Sequence, residues 1–178
     1  MDDANRFLRQ SREYLTEHYL PKIEAALEGL TEEDIWWRPN PASNSIGNLL
    51  LHLAGNIRQW IVSGVGGAAD RRARDEEFAA TGARSREELL ALLRAAVRDA
   101  DATLARTDPG SLGAARTVQG RDTDVLAVVY HVVEHFAMHT GQILYIAKLR
   151  SGRDLGFYRK VDGVVRPAWP GHPTSGSA

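Results

Sequence analysis

The chain has 178 residues, 43% apolar and 25% charged, with a net charge of −1 and no cysteine. That length and balance suit one globular domain able to bury its own core, and the near-neutral charge leaves no footprint for nucleic acid or an anionic membrane. Without cysteine, a disulfide scaffold, a thiolate zinc site and a cysteine nucleophile are excluded, so any metal must be held by His, Asp, Glu or water.

The first residues, Met1-Asp2-Asp3-Ala4-Asn5, are acidic and carry no apolar stretch, so no signal peptide is expected. No run of 18 apolar residues occurs, no membrane span is expected, and cytoplasm is the default compartment. From about Asp3 to Leu27, Phe7, Leu8, Leu15, Leu20, Ile23 and Leu27 recur at near-helical spacing. Pro21 predicts a kink there, and Gly29 a helix end. Thr31 to Asp34 resembles a short capped turn, and two prolines, Pro39 and Pro41, predict an irregular connection after it.

A second helix is expected from Asn44 or Ser45 through Ile61, ending before Gly64. Residues 71–81 read as a solvated mixed-charge loop, with Arg71, Arg72 and Arg74 beside Asp70, Asp75, Glu76 and Glu77. The Ser85-Arg86-Glu87-Glu88 capping pattern opens a third helix to about Arg106, which Asp108-Pro109-Gly110 breaks. Thr117 to Arg121 is expected to be briefly extended, and a fourth helix runs from Asp122 to about Arg150. No convincing strand alternation is visible. The expected fold class is therefore all-α, a four-helix bundle over residues 1–160. Residues 161–178, rich in Pro, Gly and Ser, are expected to be a mobile C-terminal tail.

Two of these helices combine an apolar body with a polar stripe. The fourth carries Val125, Val128, Val129, Val132, Phe136, Ile143 and Ile146, so it should be buried nearly all round. Its exceptions are His131, Glu134, His135, His139 and Gln142, which fall within an arc of roughly 140°. On the second helix Ser45, Asn48, His52, Asn56, Gln59 and Ser63 fall within roughly 80°. Buried stripes of this kind are costly unless they meet one another, water or a metal. Three histidines at four-residue spacing, with a fourth on another buried helix, favour a metal; a buried hydrogen-bond network is the alternative.

Asn48-Leu49-Leu50-Leu51-His52-Leu53-Ala54-Gly55-Asn56 and His131-Val132-Val133-Glu134-His135-Phe136-Ala137-Met138-His139-Thr140-Gly141-Gln142-Ile143 resemble the DinB-like (damage-inducible) metalloprotein superfamily. Arg74-Asp75-Glu76-Glu77-Phe78 adds to the likeness, which covers about residues 5–155. The resemblance implies an up-up-down-down four-helix bundle with His52, His135 and His139 as ligands of one divalent metal. It places His131, Glu134, Asn48, Asn56, Gln59 and Gln142 behind or beside them, and Glu134 stands where the family often has Asn. Three neutral imidazoles suit zinc or nickel, and also iron or manganese, and leave a coordination position open.

The resemblance further implies a thiol S-transferase that uses a low-molecular-weight thiol such as bacillithiol or mycothiol, and a homodimer. The metal would hold the thiol as its reactive thiolate. Asn48, Asn56 and Gln59 could bind the thiol or simply pack helices. No catalytic side chain can be named. A bundle that binds a metal or small ligand without turnover is the alternative. A second alternative reads His131-Val132-Val133-Glu134-His135 as an H-x-x-E-H zinc hydrolase, but the chain offers no Glu after Glu134 as a further ligand.

Overall fold

The structure, a computed structural model, describes residues 2–82 and 84–172. The first helical run starts where the Asp2 side chain accepts the Asn5 N–H. It comprises α1 (Asp3–Glu13), a π-helical segment (Tyr14–Tyr19) and α2 (Leu20–Leu27). Pro21 explains the wide middle turn. Proline has no N–H for the Glu17 carbonyl four residues back, and the Leu20 N–H reaches five back to Leu15 instead. The expected kink is thus absorbed as a π-bulge, and Gly29, at φ +75°, follows the helix end.

Thr31 and Asp34 form a capping box for α3 (Glu32–Trp36). Ser45 and Asn48 do the same for α4 (Ile46–Ile57), which continues as a second π-helical segment (Arg58–Val65). The region expected as a loop contains a short helix, α5 (Arg74–Ala79). Ser85 and Glu88 cap α6 (Arg86–Arg106), as their spacing predicts. After a 3₁₀ turn at Pro109–Ser111, β1 (Ala115–Val118) and β2 (Arg121–Asp124) form a hairpin. Its turn residues Gln119 and Gly120 both have positive φ, which matches the strand twist. Asp124 then caps α7 (Val125–Ser151).

Long-range pairs fix how these helices run. Arg12 meets Asp101 and Glu24 meets Arg94, so the first run is antiparallel to α6. Tyr19 stacks near Phe136 and Glu28 receives Arg153, so it is parallel to α7. His52 meets His135 and Trp60 meets His131, so α4 is antiparallel to α7. In chain order the four long segments run up, down, down, up, which differs from the up-up-down-down order implied by resemblance. Between them lie Leu15, Ile23, Leu53, Ile57, Leu93, Val129, Phe136 and Ile143, all nearly or fully buried.

Three further expectations need correction. The fold is mostly helical, but the described residues include two small antiparallel hairpins, so it is not purely α. Residues 122–124, expected in the last helix, belong to the first hairpin. The second, β3 (Tyr158–Val161) with β4 (Val164–Pro167), straddles the expected boundary at residue 160, so the first part of the expected tail is a strand. Beyond it Trp169 is only 3% exposed; its indole N–H donates to the Glu17 carbonyl at 2.9 Å and Lys22 sits 3.6 Å over its ring. That bond supplies the donor that Pro21 withholds. The rest of the expected tail, 173–178, lies outside the described residues.

Candidate metal centre

Antiparallel packing of α4 on α7 turns the two polar stripes toward each other. His52 from α4 and His135 and His139 from α7 come together, with one ring nitrogen of each within 4.8 Å of the others. His52 Nε2 lies 2.9 Å from His135 Nε2. Two bare imidazole nitrogens at that distance repel, so a proton or a cation must lie between them.

Burial, together with the neighbouring rings of His139, His52 and His131, pushes the His135 pKa down to about 3. Burial lowers the His139 pKa as well, against the opposing effect of its hydrogen bond to Gln142. Both rings are therefore neutral near pH 7 and keep a lone pair to donate. His139 Nδ1 lies 2.7 Å from Gln142 Oε1, an acceptor that leaves Nε2 as the bare nitrogen. A donor set of three inward-facing imidazoles, each bringing one ring nitrogen to the cluster, fits one divalent transition metal.

Behind His52 lies a buried ionic network. Glu77 Oε2 is 3.0 Å from His52 Nδ1, and Arg72 grips both oxygens of Glu77, Nε to Oε1 at 2.8 Å and Nη2 to Oε2 at 2.8 Å. The Arg72 side chain is 3% exposed. Burial alone would raise the Glu77 pKa, but the hydrogen bonds and charges of Arg72 and His52 bring it below its ordinary value. Gln59 Oε1 accepts from Arg72 Nη1 at 2.9 Å and also from Gln119, while Gln59 Nε2 donates to Asp70. Arg72 and Glu77 are thus buried parts of the site, contrary to the solvated loop that composition suggests. The Arg74–Phe78 motif pointed at this segment, but nothing in it singles out one acid among Asp75, Glu76 and Glu77.

The other expected residues separate into distinct roles. Asn48 is fully buried and stitches the fold: its Oδ1 accepts from Ser45 and Arg38, and its Nδ2 donates to the carbonyls of Glu77 and Ala80. Asn56 is buried one helical turn beyond His52. His131 is outside the cluster, its ring 4.3 Å from Trp60 and 5.3 Å from His135, centroid to centroid. Glu134 is exposed, and among the described residues the histidine cluster includes neither it nor His131. The Phe78 ring packs 4.8 Å from His52, and the Arg74 guanidinium lies 4.9 Å over the Phe78 ring. A cavity of about 640 Å³ lies nearby but is not lined by the histidines. It runs along the outer side of α4 under residues 68–80 and shares Gln59, Arg72 and Glu77 with the network.

Residues 10–150 match the sequence model of the Mycothiol-S-transferase (MST) family. The chain belongs to the mycothiol-S-transferase family. The MST match spans both histidine-bearing helices and the Arg72–Glu77 segment. Solved structures agree on a DinB-like fold. A DinB-like protein from Bacillus cereus is 18% identical, with a TM-score of 0.63, covering 83% of this chain and 93% of that one. A DinB-like protein from Bacillus subtilis is also 18% identical, with a TM-score of 0.60, covering 82% and 93%. No curated protein matches in sequence. Among the described residues of this MST-family chain, no helix is long and apolar enough to cross a membrane.

Proposed function

We propose that this protein is a metal-dependent S-transferase that acts on a low-molecular-weight thiol, with His52, His135 and His139 as the metal ligands. The observation that carries the reading is the convergence of three imidazoles from two facing helices, within a chain of the mycothiol-S-transferase family. Zinc or nickel suits the donor set, and iron or manganese is compatible with it. A bound metal with an open position would favour the thiolate form of the thiol. In the transfer the thiol gives up its proton, its sulfur bonds to the electrophilic carbon, and the displaced group leaves with its electron pair.

The chain's own groups have defined parts. Gln142 and Glu77 orient the rings of His139 and His52. Phe78, packed on His52, offers an apolar wall beside the cluster. Mycothiol is the thiol that the family name favours, with bacillithiol as the comparison. Turnover of each with a panel of halogenated electrophiles is the test. Activity that is lost on chelation and restored by one added metal supports the transferase. Tight metal binding without turnover of either thiol replaces it with a non-catalytic binding bundle.

A further inference from the structure

We infer that Glu77 is a positioning residue for the metal centre: clamped by Arg72, its carboxylate holds His52 as the Nδ1–H tautomer and keeps the Nε2 lone pair turned toward His135 and His139. This inference rests on the three-histidine metal reading above.

Two tautomers of His52 compete on these contacts. In one, Nδ1–H donates to Glu77 Oε2 at 3.0 Å and Nε2 is bare. In the other, Nδ1 accepts from Arg72 Nη2, also 3.0 Å away, and Nε2–H donates to His135 Nε2 at 2.9 Å. The second tautomer cannot ligate through Nε2, and it sets a lone pair against the Glu77 carboxylate. A carboxylate that already accepts two N–H groups from a forked guanidinium has only acceptor character left for His52. Glu77 therefore selects the ligating tautomer, as carboxylates behind metal-bound histidines do.

The surroundings are built to hold that carboxylate in place. A Cβ on Gly55 would collide with Glu77 Oε1 and sit 3.1 Å from Arg72 Nε, so only glycine leaves the slot on α4 open. Asn48 and Arg38 fix the backbone from behind, through the carbonyls of Glu77, Phe78 and Ala80. Among the described residues neither of the other two rings has a carboxylate within hydrogen-bond distance: Gln142 gives His139 a neutral partner, and His135 has ring neighbours and the facing His52 nitrogen. The support is concentrated on the one ligand contributed by α4.

The test uses the full-length protein, stripped of metal and titrated with zinc against a chromogenic chelator, and separately loaded with cobalt(II). Glu77→Ala should bind zinc roughly 10- to 100-fold more weakly and shift the visible cobalt(II) bands. Glu77→Gln, whose amide oxygen is a weaker and uncharged acceptor, should lose about 10-fold, at the low end of that range. Nitrogen-15 NMR of the zinc-loaded wild type should show the Nδ1–H tautomer at His52. A folded Glu77→Ala protein with wild-type zinc affinity and cobalt spectrum overturns the inference, even if its melting temperature falls. Should Glu77→Ala not fold, wild-type affinity and spectrum in Glu77→Gln overturn it equally. Metal bound normally by wild type and by both variants leaves the metal centre standing without this role. A wild-type chain that takes up neither ion removes both.

Discussion

Two segments of this molecule read alike in sequence, as polar connections without periodicity, yet they fold to different ends. Residues 68–80 bury Arg72 and Glu77 against His52, while the C-terminal hairpin with Trp169 packs on the first helical run, away from the His52–His135–His139 cluster. Each is fastened at a defect in a helix. Gly55 lacks the side chain that would exclude Glu77, and Pro21 lacks the N–H that would satisfy Glu17, whose carbonyl takes the Trp169 indole instead. A missing atom in one element thus creates the receptor for another. The chemistry of the defect decides what docks: a volume admits a charged pair, and a bare carbonyl admits a donor.

The largest effect that can break this comparison is expected from Gly55→Ala. The new methyl group displaces Glu77 and strands Arg72, and breaking a buried ion pair costs about 3–5 kcal/mol. Chemical denaturation should show that loss, and zinc affinity should fall with it. A variant within about 0.5 kcal/mol of wild type, the range of ordinary surface changes, would mean that the slot on α4 is not what holds Glu77.

Acidification of the metal-free protein should come next, and should act more on the histidine region than on the hairpin. His131, His135 and His139 have folded pKa values below their ordinary 6.5, with burial as the leading cause. The unfolded chain therefore takes up protons first, so stability is complete above about pH 6.5 and is lost as pH falls toward the value of about 3 held by His135. The lowered Glu77 pKa works in the same direction at lower pH. Near Trp169, burial together with the Lys22 charge lowers the His18 pKa. Hydrogen exchange at pH 5 should therefore show amides around His52 and 74–80 opening before those of the hairpin; the reverse order would contradict the assignment of buried neutral rings.

Trp169→Phe should have the smallest effect. It removes the bond to Glu17 and weakens the Lys22 contact, for about 1–2 kcal/mol. Thermal melting should fall slightly while zinc affinity stays unchanged. A fall in zinc affinity would couple the two regions, which the present contacts keep separate.

The contrast also explains what the sequence made legible. The second and third helix starts were readable because Ser45 and Ser85 carry their own capping signals; four-residue spacing set His131, His135 and His139 on one face of α7, and the family resemblance chose His135 and His139 from them and added His52. The buried role of Arg72 and Glu77 was not, because burial there depends on Gly55 in another element and on carbonyls held by Asn48. Asn48 itself was visible as a polar residue on the stripe, but its role is stitching rather than ligand contact. The hairpin strands Tyr158–Val161 and Val164–Pro167 are largely exposed, so they carry no alternation for a sequence pattern to reveal.

Metal content tests the central claim most directly. Protein made without a histidine tag or metal-affinity step should contain about one zinc, nickel, iron or manganese ion per chain, as a single three-imidazole site requires. His52→Ala and His135→Ala should each lose that ion while keeping the helical circular dichroism of wild type. A folded wild-type protein that remains empty after incubation with all four ions, or a His52→Ala protein with full metal content, would contradict the three-histidine centre.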